Sequence, residues 1–496
     1  MYKIENISTP PFAQYSAEEE IDIEAIYYEQ QNYHELLELT KSGVSRFVLG
    51  QRGQGKSATI HHLINDLRRG AVLPILITRY DGFPEKGNES YYLYSMIQGI
   101  VFAIAQHLYQ FPNSVKNLSE TQKNEIGVLI EAFYDQLLAD DFLEKSKTIK
   151  RVHRINIFKW LWNKLGVGVA NTTLSTVTQI TAQLIQSYTG TTPNFSISDG
   201  EYFHGVTYSE IRQIPKETIT SWPIQNLIKI VRNMIATAKA LGYKSIVVLF
   251  DQIDEVRGIN SDVDKVADFM VDFLADTEFL YTRDLSIVIS LWSEVKNKLN
   301  TKNIRFDKFK EIDIRWKNEE LVKLLNKRLY YYSDNKKNPV TFESLIRSNQ
   351  SQSQILDLSM GSPRALITLM SFIESANSNG SLISEFSPEA IYNGCLTFCK
   401  KFDYISQHPS RTGKGNDLKS WINKILRMRL SSFTSKQYAE FYKDVTAKNV
   451  TKHIEQLVKL NLIRDSLLPS LDGKPVYKVV DPRIIHMINC DVLEIE

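Results

Sequence analysis

Residues 47–57 read FVLGQRGQGKS, three apolar residues running into a glycine loop that closes on a Lys-Ser pair. Gly50, Gly55, Lys56 and Ser57 satisfy the spacing G-x-x-x-x-G-K-[ST]. Each residue type has a physical reason to be there. Glycines let the backbone curl so that N–H groups converge on phosphate oxygens. Lys56 is placed to reach the β- and γ-phosphates of a nucleoside triphosphate, and the Ser57 hydroxyl to ligate Mg²⁺. The candidate cradle is therefore Gly50, Gln51, Arg52, Gly53, Gln54, Gly55, Lys56, Ser57 and Ala58. The flanks agree with it. Ser45–Leu49 has the pattern of a buried strand, and Ala58–Arg69 has apolar residues at 60, 63, 64 and 67, the spacing of one helix face. The helix N-terminus then faces the phosphates, where its dipole favours negative charge.

Such a loop needs a carboxylate strand beside it, and residues 244–256, KSIVVLFDQIDEV, supply one. An apolar run rich in β-branched residues reads as a fully buried parallel strand. Asp251 falls at its carboxyl end, where ligands sit in open α/β sheets, and is the candidate holder of Mg²⁺ through water. Asp254 and Glu255 follow, and Glu255 is the preferred residue to orient or deprotonate an attacking water. Leu285–Ser290 reads as another buried strand. Ser290, or Ser293 just past it, sits where a polar group can touch the γ-phosphate.

Composition bounds the rest. The chain has 496 residues, 43% apolar and 23% charged, enough for two to four ordinary globular domains. A net charge of +2 restricts any nucleic-acid affinity to a local patch. Three cysteines, with Cys395 and Cys399 one helical turn apart, do not make a disulfide scaffold or a zinc ribbon. The N-terminal stretch lacks a basic n-region and an apolar core, and the run 165–185 is too polar to span a bilayer. The expectation is a cytoplasmic protein without membrane contact. His61 and His62, inside the helix after the loop, are read as packing or surface residues.

Further on, NIRFDKFKEIDIRWKNEELVKLLNKRL (303–329) and LSMGSPRALITLMSFIESA (358–376) complete a set. With the loop, the Asp251 strand and Ser290, the chain resembles AAA+ ATPases, particularly the initiator type related to origin-recognition proteins. The resemblance implies an α/β P-loop core with a parallel sheet, a helical lid and a C-terminal winged helix-turn-helix domain. It implies ATP and Mg²⁺ as ligands. It makes Arg305 a candidate arginine finger reaching a neighbouring subunit of a homo- or hetero-oligomer, and Arg364 the lid arginine that senses the γ-phosphate. A guanidinium suits both roles, being always charged and able to fork onto phosphate oxygens. Gln252 after Asp251 departs from the Asp-Glu pair usual in initiators. The order D-x-x-D-E is closer to STAND ATPases, the NACHT proteins among them, which implies the alternative of a slow signalling switch, as in antiviral defence, that recruits a protein effector.

The domain reading is an N-terminal extension over 1–42, an ATPase core over 43–330 with an insertion at about 112–222, a lid over 331–412, and a winged helix over 413–496. The insertion holds a basic, aromatic segment at 142–164 with Phe158, Trp160 and Trp162. The last module predicts helices at Leu418–Leu430, Ser435–Lys443 and Ala447–Leu460, then a hairpin with Asp472-Gly473 at its tip. Val450, Ile454, Leu457 and Val458 are expected inward and Lys448, Lys452 and Lys459 outward. Residues 411–483 carry fifteen Lys and Arg against seven Asp and Glu. Double-stranded DNA is thus a candidate partner, with Lys448, Asn449 and Lys452 at the recognition helix and Lys474 on the wing.

Overall fold

The computed structural model describes residues 4–132 and 219–495, apart from 18, 21, 257, 260–261, 276, 303, 305–308, 378–381, 408–417, 444–446 and 470–474. Chain order begins with a one-turn helix α1 (Ile23–Ile26) and α2 (Tyr33–Lys41). Then come β1 (Arg46–Leu49), α3 (Lys56–Arg69), β2 (Leu73–Ile77), α4 (Glu89–Gln110) and α5 (Glu120–Ala132). After the insertion follow α6 (Ile224–Ala240), β3 (Ile246–Phe250), α7 (Val263–Ala275), β4 (Leu285–Leu291), α8 (Ser293–Thr301) and β5 (Lys310–Asp313). The five strands form one parallel sheet in the order β2-β3-β4-β1-β5.

Every residue of β3 and β4 is buried, so both faces of the sheet need helices over them. One face packs α4, α6, α7 and α8 against Phe47, Leu49, Val248, Phe250, Ile287 and Ile289. The other lays α2 and α3 on Val48, Val247, Leu249, Val288 and Ile312. Strand alternation then decides direction: Asp251 and Ser290 share the face of Val247, Leu249 and Val288, the side on which α3 lies. Tyr80 ties the carboxyl ends of β2 and β3 together, donating to Ile77 O at 3.2 Å and Asp251 O at 2.9 Å.

Residues 112–132, placed within the insertion by the sequence, form a 3₁₀ turn and α5, and Asn233 on α6 donates to Glu125 at 2.8 Å. The segment 142–164 lies outside the described residues.

The lid is built from α9 (Asn318–Tyr332), α10 (Asn349–Ser359), α11 (Pro363–Ala376) and α12 (Pro388–Lys401). Ser362 and Ser387 cap α11 and α12, each followed by a proline at the first helical position. The N-terminal residues belong to this body too: Ile4, Ile7 and Phe12 are buried in the same cluster as Leu325, Phe342 and Ile373.

The last module is α13 (Leu418–Met428), β6 (Ser432–Thr434), α14 (Ser435–Phe441), α15 (Ala447–Lys459), the hairpin β7 (Ile463–Pro469) and β8 (Pro475–Val479), and α16 (Pro482–Asn489). Strands β6-β8-β7 form an antiparallel sheet beside the helix pair α14–α15, which is a winged helix. One expectation is corrected, and the turn between α14 and α15 lies partly outside the described residues. Val458 is 45% exposed, whereas Val450, Ile454 and Leu457 are buried. At about 100° per residue, 450, 454 and 457 keep to one stripe and 458 steps off its edge. Among the described residues, no helix is long and apolar enough to cross a membrane.

Candidate functional site

The glycine loop leaves β1 and enters α3 through two left-handed residues, Gly53 at φ +80° and Gly55 at φ +86°. Gly55 is the N-cap, so α3 starts at Lys56, two residues earlier than periodicity placed it. Lys56, Ser57 and Ala58 are therefore its first three residues, whose N–H groups have no partner inside the helix. Lys56 donates to Gly50 O at 3.0 Å and Gln51 O at 3.1 Å. Burial pulls its ammonium pKa below the ordinary value. Asp254, Asp251 and Glu294 oppose that effect, and Arg364 adds to it. The loop's geometry is held from within by Gln54, whose Oε1 accepts from Gln51 N at 2.7 Å. It is held from outside by Trp316, whose indole donates to Gln54 O at 2.8 Å.

Asp251 is buried immediately after β3, and Gln252 follows in the left-handed region at φ +59°. That turn starts the short 3₁₀ segment Ile253–Glu255 and brings Asp254 and Glu255 back to the cleft, which they line together with Lys56, Ser57 and Asp251. Ser290 is 3% exposed, and its hydroxyl finds no hydrogen-bond partner among the described residues. Phe250 pairs with Ile289, so Ser290 stands level with Asp251 on the neighbouring strand. Ser290, like Gly50, Gln51 and Gln54 of the loop, is not among the residues that line the cleft.

The lid closes the other side. Arg364 N and Ser362 Oγ both donate to Gly53 O, at 3.3 and 3.1 Å, and the Arg364 side chain lines the cleft. The sequence residues Gly53, Gly55, Lys56, Ser57, Ala58, Arg52, Asp251, Asp254, Glu255 and Arg364 therefore share one cleft. Arg305 and Lys474 lie outside the described residues.

Sequence reasoning missed the roof. Tyr15, Ser16, Ala17, Tyr27 and Tyr28 line the same cleft, with Trp316 across from Tyr28 at a ring distance of 6.2 Å. This N-terminal strap is pinned by Arg328 on α9, which is 2% exposed. Arg328 donates to Pro11 O and, at 2.8 Å, to Gln14 O, and pairs with Glu20 at 2.5 Å. Glu20 is 8% exposed, and only its distant partner gives it a role. His62 is a packing residue in a specific sense: it stacks on Tyr27 and meets Glu24 and Glu29 at 3.0 and 3.3 Å, fastening the strap to α3.

On the winged helix, Lys448, Asn449, Lys452 and Lys459 are all exposed along α15. Arg464 and Lys478, which the sequence reading did not single out, face each other across the wing and are also exposed.

The sheet order, the glycine loop with its carboxylate strand, the lid and the terminal winged helix together make an AAA+ type P-loop fold. No protein-family model and no curated protein matches the chain. Among solved structures the chain is similar along nearly its whole length to origin-recognition proteins. These include the Orc1 protein of Aeropyrum pernix solved in complex with DNA, with 10% identity, 94% of each chain covered and a TM-score of 0.37. The Aeropyrum pernix Orc2 protein aligns at 9% identity over 96% of this chain and 98% of that one, with a TM-score of 0.42. Cdc6p of Pyrobaculum aerophilum aligns at 10% identity over 98% of each chain, with a TM-score of 0.35. Likeness this distant leaves the weight on the sheet order and on the geometry of the cleft.

Proposed function

We propose that the protein is an ATP-binding, ATP-hydrolysing switch that couples its nucleotide state to double-stranded DNA binding through the C-terminal winged helix. The observation that carries it is the cleft itself. A left-handed glycine loop, a half-buried lysine and the carboxylates of Asp251, Asp254 and Glu255 face a lid arginine across one gap. The donor set fits Mg²⁺, since the Ser57 hydroxyl and the Asp251 carboxylate are hard oxygen ligands beside an orphan hydroxyl. A bound Mg²⁺ would neutralise charge on the phosphate oxygens. The chain's own groups do the rest. The Lys56 ammonium and the α3 amides hold the phosphates, Ser290 and Arg364 meet the γ-phosphate, and Glu255 takes the proton of the attacking water. By resemblance, Arg305 completes the site of a neighbouring subunit.

Lys448, Lys452 and Lys459 line the exposed face of α15, with Arg464 and Lys478 on the wing, which suits a phosphate backbone. The test is ATP turnover with and without double-stranded DNA at two salt concentrations, in wild type and Lys56→Ala. Stimulation that fades as salt rises, and is absent in Lys56→Ala, supports the reading. Turnover indifferent to DNA overturns the DNA half. A second reading, a STAND-like switch that recruits a protein effector, has one observation in its favour: the winged helix is docked on the lid through part-buried contacts.

A further inference from the structure

We propose that the turn Met360–Arg364 is a mechanical relay between the phosphate cradle and the winged helix, and that Arg483 is the positioning residue through which the winged helix follows it. The inference rests on the nucleotide-switch reading above and names how that switch is transmitted.

The turn is unusual in its backbone. Met360 and Gly361 are consecutive left-handed residues, at φ +51° and +70°. A non-glycine residue there is strained, so the surroundings must hold it. They hold it from two sides. On the core side, Ser362 Oγ and Arg364 N donate to the Gly53 carbonyl, and a Cβ on Gly361 would sit 3.5 Å from Trp316 O. On the other side, the Met360 sulfur accepts a hydrogen bond from Arg483 Nη2 at 3.0 Å. One five-residue turn thus touches the P-loop and the terminal domain at once.

Arg483 is built into that contact. It is 7% exposed, forks onto Asp481 through Nε at 2.9 Å and Nη2 at 2.6 Å, and lies 3.6 Å over the Phe402 ring. A buried guanidinium held by a carboxylate, a sulfur and a ring face resists being moved alone, because losing the carboxylate leaves a desolvated charge. Asp481 also caps α16, accepting from Arg483 N at 2.8 Å, and stands two residues past the end of β8. The wing and α16 therefore meet at Asp481 and Arg483. A second clamp lies one helix away. Gln354 on α10, the helix that ends at Met360, donates to His486 Nδ1 on α16 at 2.9 Å. α10 and α16 share one buried cluster, and Met360, 42% exposed, lies at its surface end in contact with Arg483.

The consequence is directional. A γ-phosphate that draws in Arg364 pulls on the start of α11 and therefore on Met360, and Arg483 carries that displacement into the wing. Packed contacts of this kind pass small shifts on as discrete rearrangements rather than absorbing them.

The experiment is hydrogen exchange on the full chain, free and with a non-hydrolysable ATP analogue, in wild type, Arg483→Met, Arg483→Lys and Met360→Leu. In wild type the analogue should slow exchange both in residues 50–58 and in residues 475–489, the latter by about fivefold or more. In Arg483→Met the first response should persist and the second vanish, with Arg483→Lys and Met360→Leu falling between. Should Arg483→Met unfold the last module, the two milder variants carry the test. Loop protection with a wing that ignores nucleotide in wild type, or a wing response unchanged in all three variants, overturns the relay. Absence of loop protection in wild type overturns the nucleotide reading, and the relay with it.

Discussion

Replacing Gly53 by alanine should uncouple the lid from the phosphate loop, and the size of the effect can be worked from two glycines. Gly43 and Gly53 have nearly the same backbone, at φ +81° and +80°. A Cβ at Gly43 meets nothing within 4 Å, whereas at Gly53 it would lie 2.6 Å from Ser362 Oγ and 3.3 Å from Arg364 Cβ. Both alanines pay the left-handed cost of roughly 1–2 kcal/mol. Only Gly53→Ala also pushes the lid turn off the Gly53 carbonyl, losing two hydrogen bonds of about 0.5–1.5 kcal/mol each. Gly43→Ala should therefore lower the unfolding midpoint and leave ATP affinity at the wild-type value. Gly53→Ala should lower the midpoint further and weaken ATP binding by about tenfold, the equivalent of about 1.4 kcal/mol. Calorimetric titration with ATP and a thermal melt of each variant make the comparison. Equal ATP affinity in the two variants would refute the claim that the lid turn is seated on the loop through Gly53.

Glu255→Gln should trap an ATP-bound form, with affinity retained and turnover reduced by about two orders of magnitude or more; unchanged single-turnover rates would move the proton acceptor elsewhere. Lys448→Ala and Lys452→Ala should each weaken DNA binding alike across unrelated sequences and cut the slope of log affinity against log salt by about 1. A slope that stays constant would remove α15 from the interface. Acid should loosen the lid–wing contact. Burial holds His486 below its ordinary pKa near 6.5, so folding favours the neutral ring that accepts from Gln354. That contribution is whole above about pH 6.5 and drains away as pH falls through the depressed value. Melts from pH 7.5 to 5 should show a shallower decline in His486→Gln than in wild type, and parallel curves would refute this.

The local geometry of the cleft was legible in the sequence because it depends on neighbours a few residues apart. The G-x-x-x-x-G-K-[ST] spacing forces a loop between strand and helix. The apolar run 246–250 can only be a central strand, and it delivers Asp251 to the sheet's edge. A serine followed by proline starts α11 and puts Arg364 in its first turn. The helix-turn-helix and hairpin order of the last module was readable from period and turn chemistry alike. Tertiary structure decided what those pieces face. The pairing of Arg328 with Glu20 and with the carbonyls of Pro11 and Gln14 spans more than three hundred residues, and no periodicity records it. Nor does a pattern show that Tyr28 and Trp316 face each other across the cleft, or that Met360 touches Arg483. Periodicity assigns a residue to one side of its own element, but a contact depends on which elements the core brings together. Burial shared across the described residues sets that, and it turned an N-terminal stretch read as an extension into the strap over the cleft.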